Sequence, residues 1–569
     1  MAECDARHRG VVSRAVPALL FNSNTTGDFM LRAVFCVRIV WVAVALAGMT
    51  DVGRVRAQQP DSVTLPPVFR EPMPLYDVGL GKLSWPITTK SKQAQAYFNQ
   101  GLQLLYSFTL EDAARSFREA QKQDPECAMC YFGEAWAWGP YLNGAMLASN
   151  APRAHAAAQR ALQLRNQASE LERALIDAMA GRFQPQHDSA THHRLAVAYA
   201  ESMAKLYDRH PRHLEVGTLY AEALMLLEPR RVWDIEKPSV RRIHQVLEGV
   251  LTRDVNHPGA CHLLIHATES TVRAGRAEQC ANLLGQSIPG ASHINHMPSH
   301  TFNRIGRWGD AVRANIEAWH SDQRAEYGEG FAIYPSHNLH MLLFSASYDG
   351  QGAIAIQAAK DYARIVNGGS FYHALTLFRF GRFDEILELR APPTQVINLG
   401  LWNFARGYAH LRQKNVDSAR VYLDKLETAI KAAPATLQFR GHTAASLLGI
   451  TSALLQAELM RHDGRASEGV SILERAVELE EGLRYDEPEP LNFSARHWLG
   501  ALLLELHRPA HAERVYRAEL EDRPHNGWSL FGLEQSLRAQ EKFADAARVR
   551  EAFLKAWARS DALLRSSRF

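Results

Sequence analysis

Cysteine is scarce, with six in 569 residues, and two of these, Cys4 and Cys36, fall in an N-terminal stretch that reads as a leader. The other four, Cys127, Cys130, Cys261 and Cys280, are too few for a disulfide scaffold and can act only as local staples. An excess of one charge is also missing. Lys and Arg number 64 against 61 Asp and Glu, and the seven Arg and four Asp or Glu of residues 1–57 account for the whole difference. A formally neutral mature chain has no electrostatic footprint for nucleic acid or for an anionic membrane. Sustained apolar–polar alternation is absent, which argues against a sheet-rich fold. There is no phosphate-cradling glycine loop and no Ser nucleophile elbow. The Cys127-x-x-Cys130 pair lacks the following His that covalent haem attachment requires.

The one long apolar run, Phe35 to Met49, is broken by Arg38 and preceded by Arg32. Val55-Arg56-Ala57 suits signal-peptidase cleavage before Gln58. Residues 1–57 are therefore expected to be a signal peptide, with translation starting at Met30, and the protein to be secreted or periplasmic. A membrane anchor is the weaker reading, because the apolar segment after Arg38 is short for a bilayer span. Residues 58–93, rich in Pro and poor in pattern, read as an extended leader into the fold.

From Ala94 onward apolar residues recur at three and four, and 569 residues exceed one ordinary core unless the chain is a repeat array. The stretch from Ala94 places Gly101, Ala113, Phe117, Ala120 and Pro125 at positions 8, 20, 24, 27 and 32 of a thirty-four-residue frame. Near the C-terminus Gly500, Ala512, Tyr516 and Pro524 repeat it. Weaker helix pairs fill the interval, joined by a recurring turn: Gly306-Arg307-Trp308, then Gly381-Arg382-Phe383. This spacing is identified as the tetratricopeptide repeat (TPR) pattern. The resemblance implies an all-α, right-handed superhelical solenoid of antiparallel helix pairs over 94–569, with a concave groove.

Histidines mark three of these pairs: "HPGACHLLIHATES", "HINHMPSH" and "YPSHNLH". In TPR arrays the first helix of each pair lines the groove through places 2, 5, 9 and 12. With Ala277, Ala311 and Ala355 each set at place 20, eight residues fall on those places. They are His262, His266 and Glu269, then His293, His296 and His300, then His337 and His340. Helical spacing agrees, since residues three, four and seven apart share a face. The steps from His262 to His296 and from His266 to His300 are both thirty-four, so equivalent places should lie side by side in a groove centred on 257–340. Imidazoles from neighbouring helices can share a Zn, Cu or Fe ion, and Glu269, one turn past His266, is the expected general base. Pro298 offers a different start for its helix, which would leave His293 and His296 on an entry loop.

These words, with "NGWSLFGLEQSL" and the first repeat, resemble a group of secreted bacterial TPR proteins of unassigned role. This chain carries Cys261-His262 where the related words have an aromatic pair. Two functions stand. One is an exported solenoid whose groove holds a transition-metal site, with room among eight candidates for two ions, acting on a small-molecule substrate as a hydrolase or oxidase. The other is a non-catalytic periplasmic scaffold gripping a protein or peptide partner.

Overall fold

In the computed structural model the described residues are 64–228 and 234–569; the leader read as a signal peptide lies outside them. Helices follow one another from Lys92–Tyr106 to Phe543–Ala556. Among the described residues the only sheet is a hairpin, β1 (Gln438–Phe439) with β2 (His442–Thr443). No helix there is long and apolar enough to cross a membrane.

The repeat is built by one packing device. A Cβ placed on Gly101 would stand 2.7 Å from the Phe117 ring, and one on Gly133 would overlap the same ring. Gly500 and Gly532 make the same room for Tyr516. Each pair of glycines lets one aromatic side chain enter between three successive helices, and Phe117 and Tyr516 are both fully buried. A turn also recurs. Gly306 (φ 76°) and Gly381 (φ 69°) are left-handed. The next amide reaches back five residues, Arg307 N–H to Phe302 O at 2.8 Å and Arg382 N–H to Leu377 O at 2.9 Å. This is the Schellman closure of a helix C-terminus. Gly464 closes its helix in the same way (φ 77°), with Arg465 N–H on Met460 O at 2.9 Å. The TPR-type array is thus established by the chain's own geometry.

Ahead of the first α-helix, residues 71–91 carry no helix or strand, but they are bound. Their backbone N–H groups at Tyr76 and Ile87 donate to Gln100 and Gln95 at 2.9 Å each, and Tyr97 OH returns a bond to Met73 O. The polar face of the Lys92–Tyr106 helix thereby satisfies a segment that has no sheet to join. Both cysteine pairs are bonded, Cys127–Cys130 and Cys261–Cys280. The second ties the Pro258–Thr268 helix to Glu278–Leu284 beside His262. Apolar side chains form two main cores, one reaching Ala311 and Phe331 and the other running from Val312 to Leu564.

Candidate metal centre

Four helical segments carry the histidines: Pro258–Thr268, Ser292–His296, Pro298–Arg304 and Pro335–Asp349. Each proline stands where its missing N–H costs least, at the start of a segment. Met297, between the two middle segments, has helical angles (φ −51°, ψ −38°). His293 and His296 are therefore helical, and the entry-loop alternative does not hold.

The structure brings seven of the eight candidates together. His262, His266 and His293 form one group whose ligating atoms lie within 4.8 Å of one another; His296, His300 and His337 form a second, and His266, Glu269 and Glu487 a third. The groups adjoin, with the His293 and His296 rings 5.5 Å apart. His266 and His300 sit side by side at 5.7 Å, as the thirty-four-residue step requires. His262 instead meets His293, because the Ser292–His296 turn winds in ahead of Pro298 and brings an earlier position forward. His340 stands apart, its ring 4.4 Å from that of Tyr372, and belongs to none of the three groups.

Polar contacts at Nδ1 fix which nitrogen points inward in four of these rings. His262 Nδ1–H donates to Tyr106 O at 2.7 Å, and His266 Nδ1–H to Glu269 Oε1 at 2.9 Å. His296 Nδ1–H donates to Asn315 Oδ1 at 3.1 Å, and the Asn315 amide is itself oriented by donating to Ala311 O. His300 Nδ1 faces Glu269 Oε2 closely and Glu487 Oε2 at 3.2 Å. Nε2 is then the lone-pair atom of neutral His262, His266 and His296. Two pairs of Nε2 atoms face each other: His262 with His293 at 3.1 Å, and His296 with His300 at 2.8 Å.

Two lone pairs at such distances repel unless a proton or a cation lies between them. Ligands each about 2.0–2.1 Å from one ion can stand up to about 4.2 Å apart, so both pairs fit a shared metal. Binding Nδ1 to an acceptor while Nε2 faces the ion is the usual outer-shell arrangement of metal-ligating histidine. His293 Nδ1 is buried without a partner.

Electrostatics agree. The six residues His262, His266, Glu269, His293, His296 and His300 are at most 3 % exposed. Burial, then repulsion from neighbouring imidazoles, holds His262, His293, His296 and His337 well below the usual histidine range. Neutral imidazole is the form that ligates. His300 is the exception. Burial opposes its charge, but Glu269 and Glu487 outweigh that and push it up to about 10. Without metal, a proton held by His300 can bridge to His296.

Several of the site's residues were not visible in the sequence. Phe108 lies against the first group, 4.3 Å from the His262 ring and 5.3 Å from that of His293. Glu215 accepts from Tyr106 OH and from His257 Nε2 at 3.1 Å, so it braces the residue whose carbonyl orients His262. Glu487 arrives on a loop beyond Ala466–Glu481, and Arg440 on the β1–β2 turn. With Tyr334, Asn143 and Asp486 they help line a cavity of about 340 Å³ that also touches His266, His293, His300 and His337. Glu269, expected as the base, has its two oxygens on His266 and His300, which makes it a positioning group. The carboxylates on the cavity wall are Asp486 and Glu487. Distant loops therefore supply part of the groove's wall. The sequence carries no signal for this, because nothing in a solenoid's repeat dictates where a distant loop folds back.

No family model matches the chain, and no curated protein matches it. Among solved structures, a human IFIT1 dimer with PPP-AAAA aligns over 82 % of this chain and 92 % of that one, at 10 % identity and a TM-score of 0.27. The P58(IPK) TPR domain aligns over 79 % and 98 %, at 12 % identity and a TM-score of 0.20. The Cut9–Hcn1 hetero-tetramer of APC/C aligns over 82 % and 74 %, at 12 % identity and a TM-score of 0.27. At such scores these likenesses bear on nothing in the groove.

Proposed function

We propose that this chain is an exported metalloprotein whose groove holds up to two transition-metal ions, zinc, copper or iron, for chemistry on a small molecule. The observation that carries this reading is the convergence of six histidines in two adjoining groups, with the Nδ1 atoms of His262, His266 and His296 engaged by Tyr106 O, Glu269 and Asn315. A groove built to grip a peptide has no need of so many imidazoles turned on one another in a buried space. Export is supported by the two bonded cysteine pairs, which persist in oxidising compartments.

A bound ion would supply Lewis acidity toward a substrate oxygen or, for a redox metal, electrons. The protein's own residues do the rest. Tyr106 O, Glu269 and Asn315 hold the rings in the ligating tautomer. Phe108 and the buried helix faces exclude water from one side. Glu487, on the cavity wall, is placed to accept a proton from a bound molecule.

The test is elemental analysis of the tag-free protein from Gln58 onward, purified after export. At least one equivalent of copper, iron or zinc is expected. The double substitution His266→Ala with His300→Ala should remove it while helical circular dichroism stays near wild type. Metal well below one equivalent after reconstitution, or full metal retained in the double variant, would defeat the proposal.

A further inference from the structure

The only hairpin among the described residues puts one cation at the mouth of the site. Arg440 (φ 52°) and Gly441 (φ 82°) are both left-handed, a conformation disfavoured for any residue with a Cβ. Both are what the two-residue turn between the paired residues Phe439 and His442 requires. Here Asp486 accepts from Arg440 Nε at 2.6 Å and from Nη2 at 2.7 Å, and Glu487 O accepts from Nη2 at 2.9 Å. The fork is thereby locked, yet Nη1 donates to no described residue, and Arg440 lies on the wall of the 340 Å³ cavity with His266 and His300.

A side chain that served only to tie the hairpin to the 486–487 loop would not need to reach the cavity. A guanidinium held in a fixed orientation, with its Nη1 amino group unused, can donate to an oxyanion. The charge balance points the same way. With dications bound in the histidine groups, these together with Arg440 would outweigh the negative charges of Asp486 and Glu487 on the wall. The cavity is at the small end of the usual range for ligand sites, about 300–1,000 Å³.

We infer that the cavity admits a small molecule bearing a carboxylate, anchored on Arg440 beside the histidine groups. The inference rests on the metal reading above for its charge balance. Lost or gained contacts at Arg440, however, can be read separately from metal content.

The experiment is calorimetric titration of the full mature chain, zinc-loaded and EDTA-stripped, with acetate and benzoate against acetamide and benzamide. On the loaded protein the carboxylates should bind at least about tenfold more tightly than the amides, the range of a hydrogen bond to a charged group. Arg440→Gln alone strands Asp486, so it is paired with Asp486→Asn. That double variant should lose the preference while zinc content and circular dichroism stay unchanged. Arg440→Lys, which keeps the charge without the fork, should retain part of it. Equal binding of amides and carboxylates, or a preference that survives in the double variant, overturns the inference. If the wild-type chain holds no zinc, the metal reading fails alone. The Arg440-dependent preference must then be found on the stripped protein, or this inference falls as well.

Discussion

Glu269→Gln tests the centre at its most informative point. The carboxylate accepts from His266 Nδ1–H with one oxygen and faces His300 Nδ1 with the other, so it fixes the tautomer of one ring in each histidine group. A glutamine amide has one acceptor and one donor. Whichever way it turns, one of the two rings must place its proton on Nε2, the atom that ligates. Loss of such an outer-shell partner typically costs about 10–100-fold in metal affinity, or about 1.4–2.7 kcal/mol. The upper half of that range is expected, because two ligands depend on one carboxylate. The assay is competition for zinc against a chelator of known affinity, on wild type and variant with matched circular dichroism. Glu487→Gln is the control. The Glu487 carboxylate lies 3.2 Å from His300 Nδ1, and its loss should weaken zinc less than Glu269→Gln does. Unchanged zinc affinity in Glu269→Gln would refute the tautomer argument.

Two further outcomes follow from groups that are not themselves candidate ligands. Asp322 accepts from Asn338 Nδ2 at 2.8 Å, and burial, only partly offset by hydrogen bonds from Ser292 and Asn338, pushes its pKa up to about 7. A folded-state pKa raised above the unfolded value gives stability that is full below about pH 4 and lost as pH rises through about 7, at most about 4 kcal/mol in all. Asp322→Asn, which still offers Asn338 an oxygen, should therefore match wild type near pH 4 and exceed it in urea midpoint at pH 8. A difference between the two that is constant with pH would contradict this. Replacing Cys261 and Cys280 together by Ser frees a loop of sequence separation 19 and should lower unfolding free energy by about 3 kcal/mol, read by urea denaturation. A loss under about 1 kcal/mol would mean that the packing of Pro258–Thr268 holds this segment without the bond.

The sequence by itself determined the repeat and the residues of the centre. Gly101 with Phe117, and Gly500 with Tyr516, read as frame positions because a helix pair can close only where one side lacks a Cβ, and this is a local requirement written at fixed spacing. Seven of eight groove candidates converge for a similar reason: three-, four- and seven-residue spacings put side chains on one helix face whatever lies beyond it. Where two helices must be registered against each other, local rules weaken. Pro298 shortened a segment and turned His293, not His296, toward His262. The longer connection before Pro335 left His340 against Tyr372. Tertiary structure alone decided the rest. Glu487, Arg440 and Asp486 come from more than a hundred residues away to wall part of the groove, and Tyr106, Glu215 and Asn315 set the tautomers from behind. Contacts between distant segments follow from how the whole array folds back on itself. No residue's immediate neighbours record that geometry, so burial, cavity and proton placement could be read only from the folded chain.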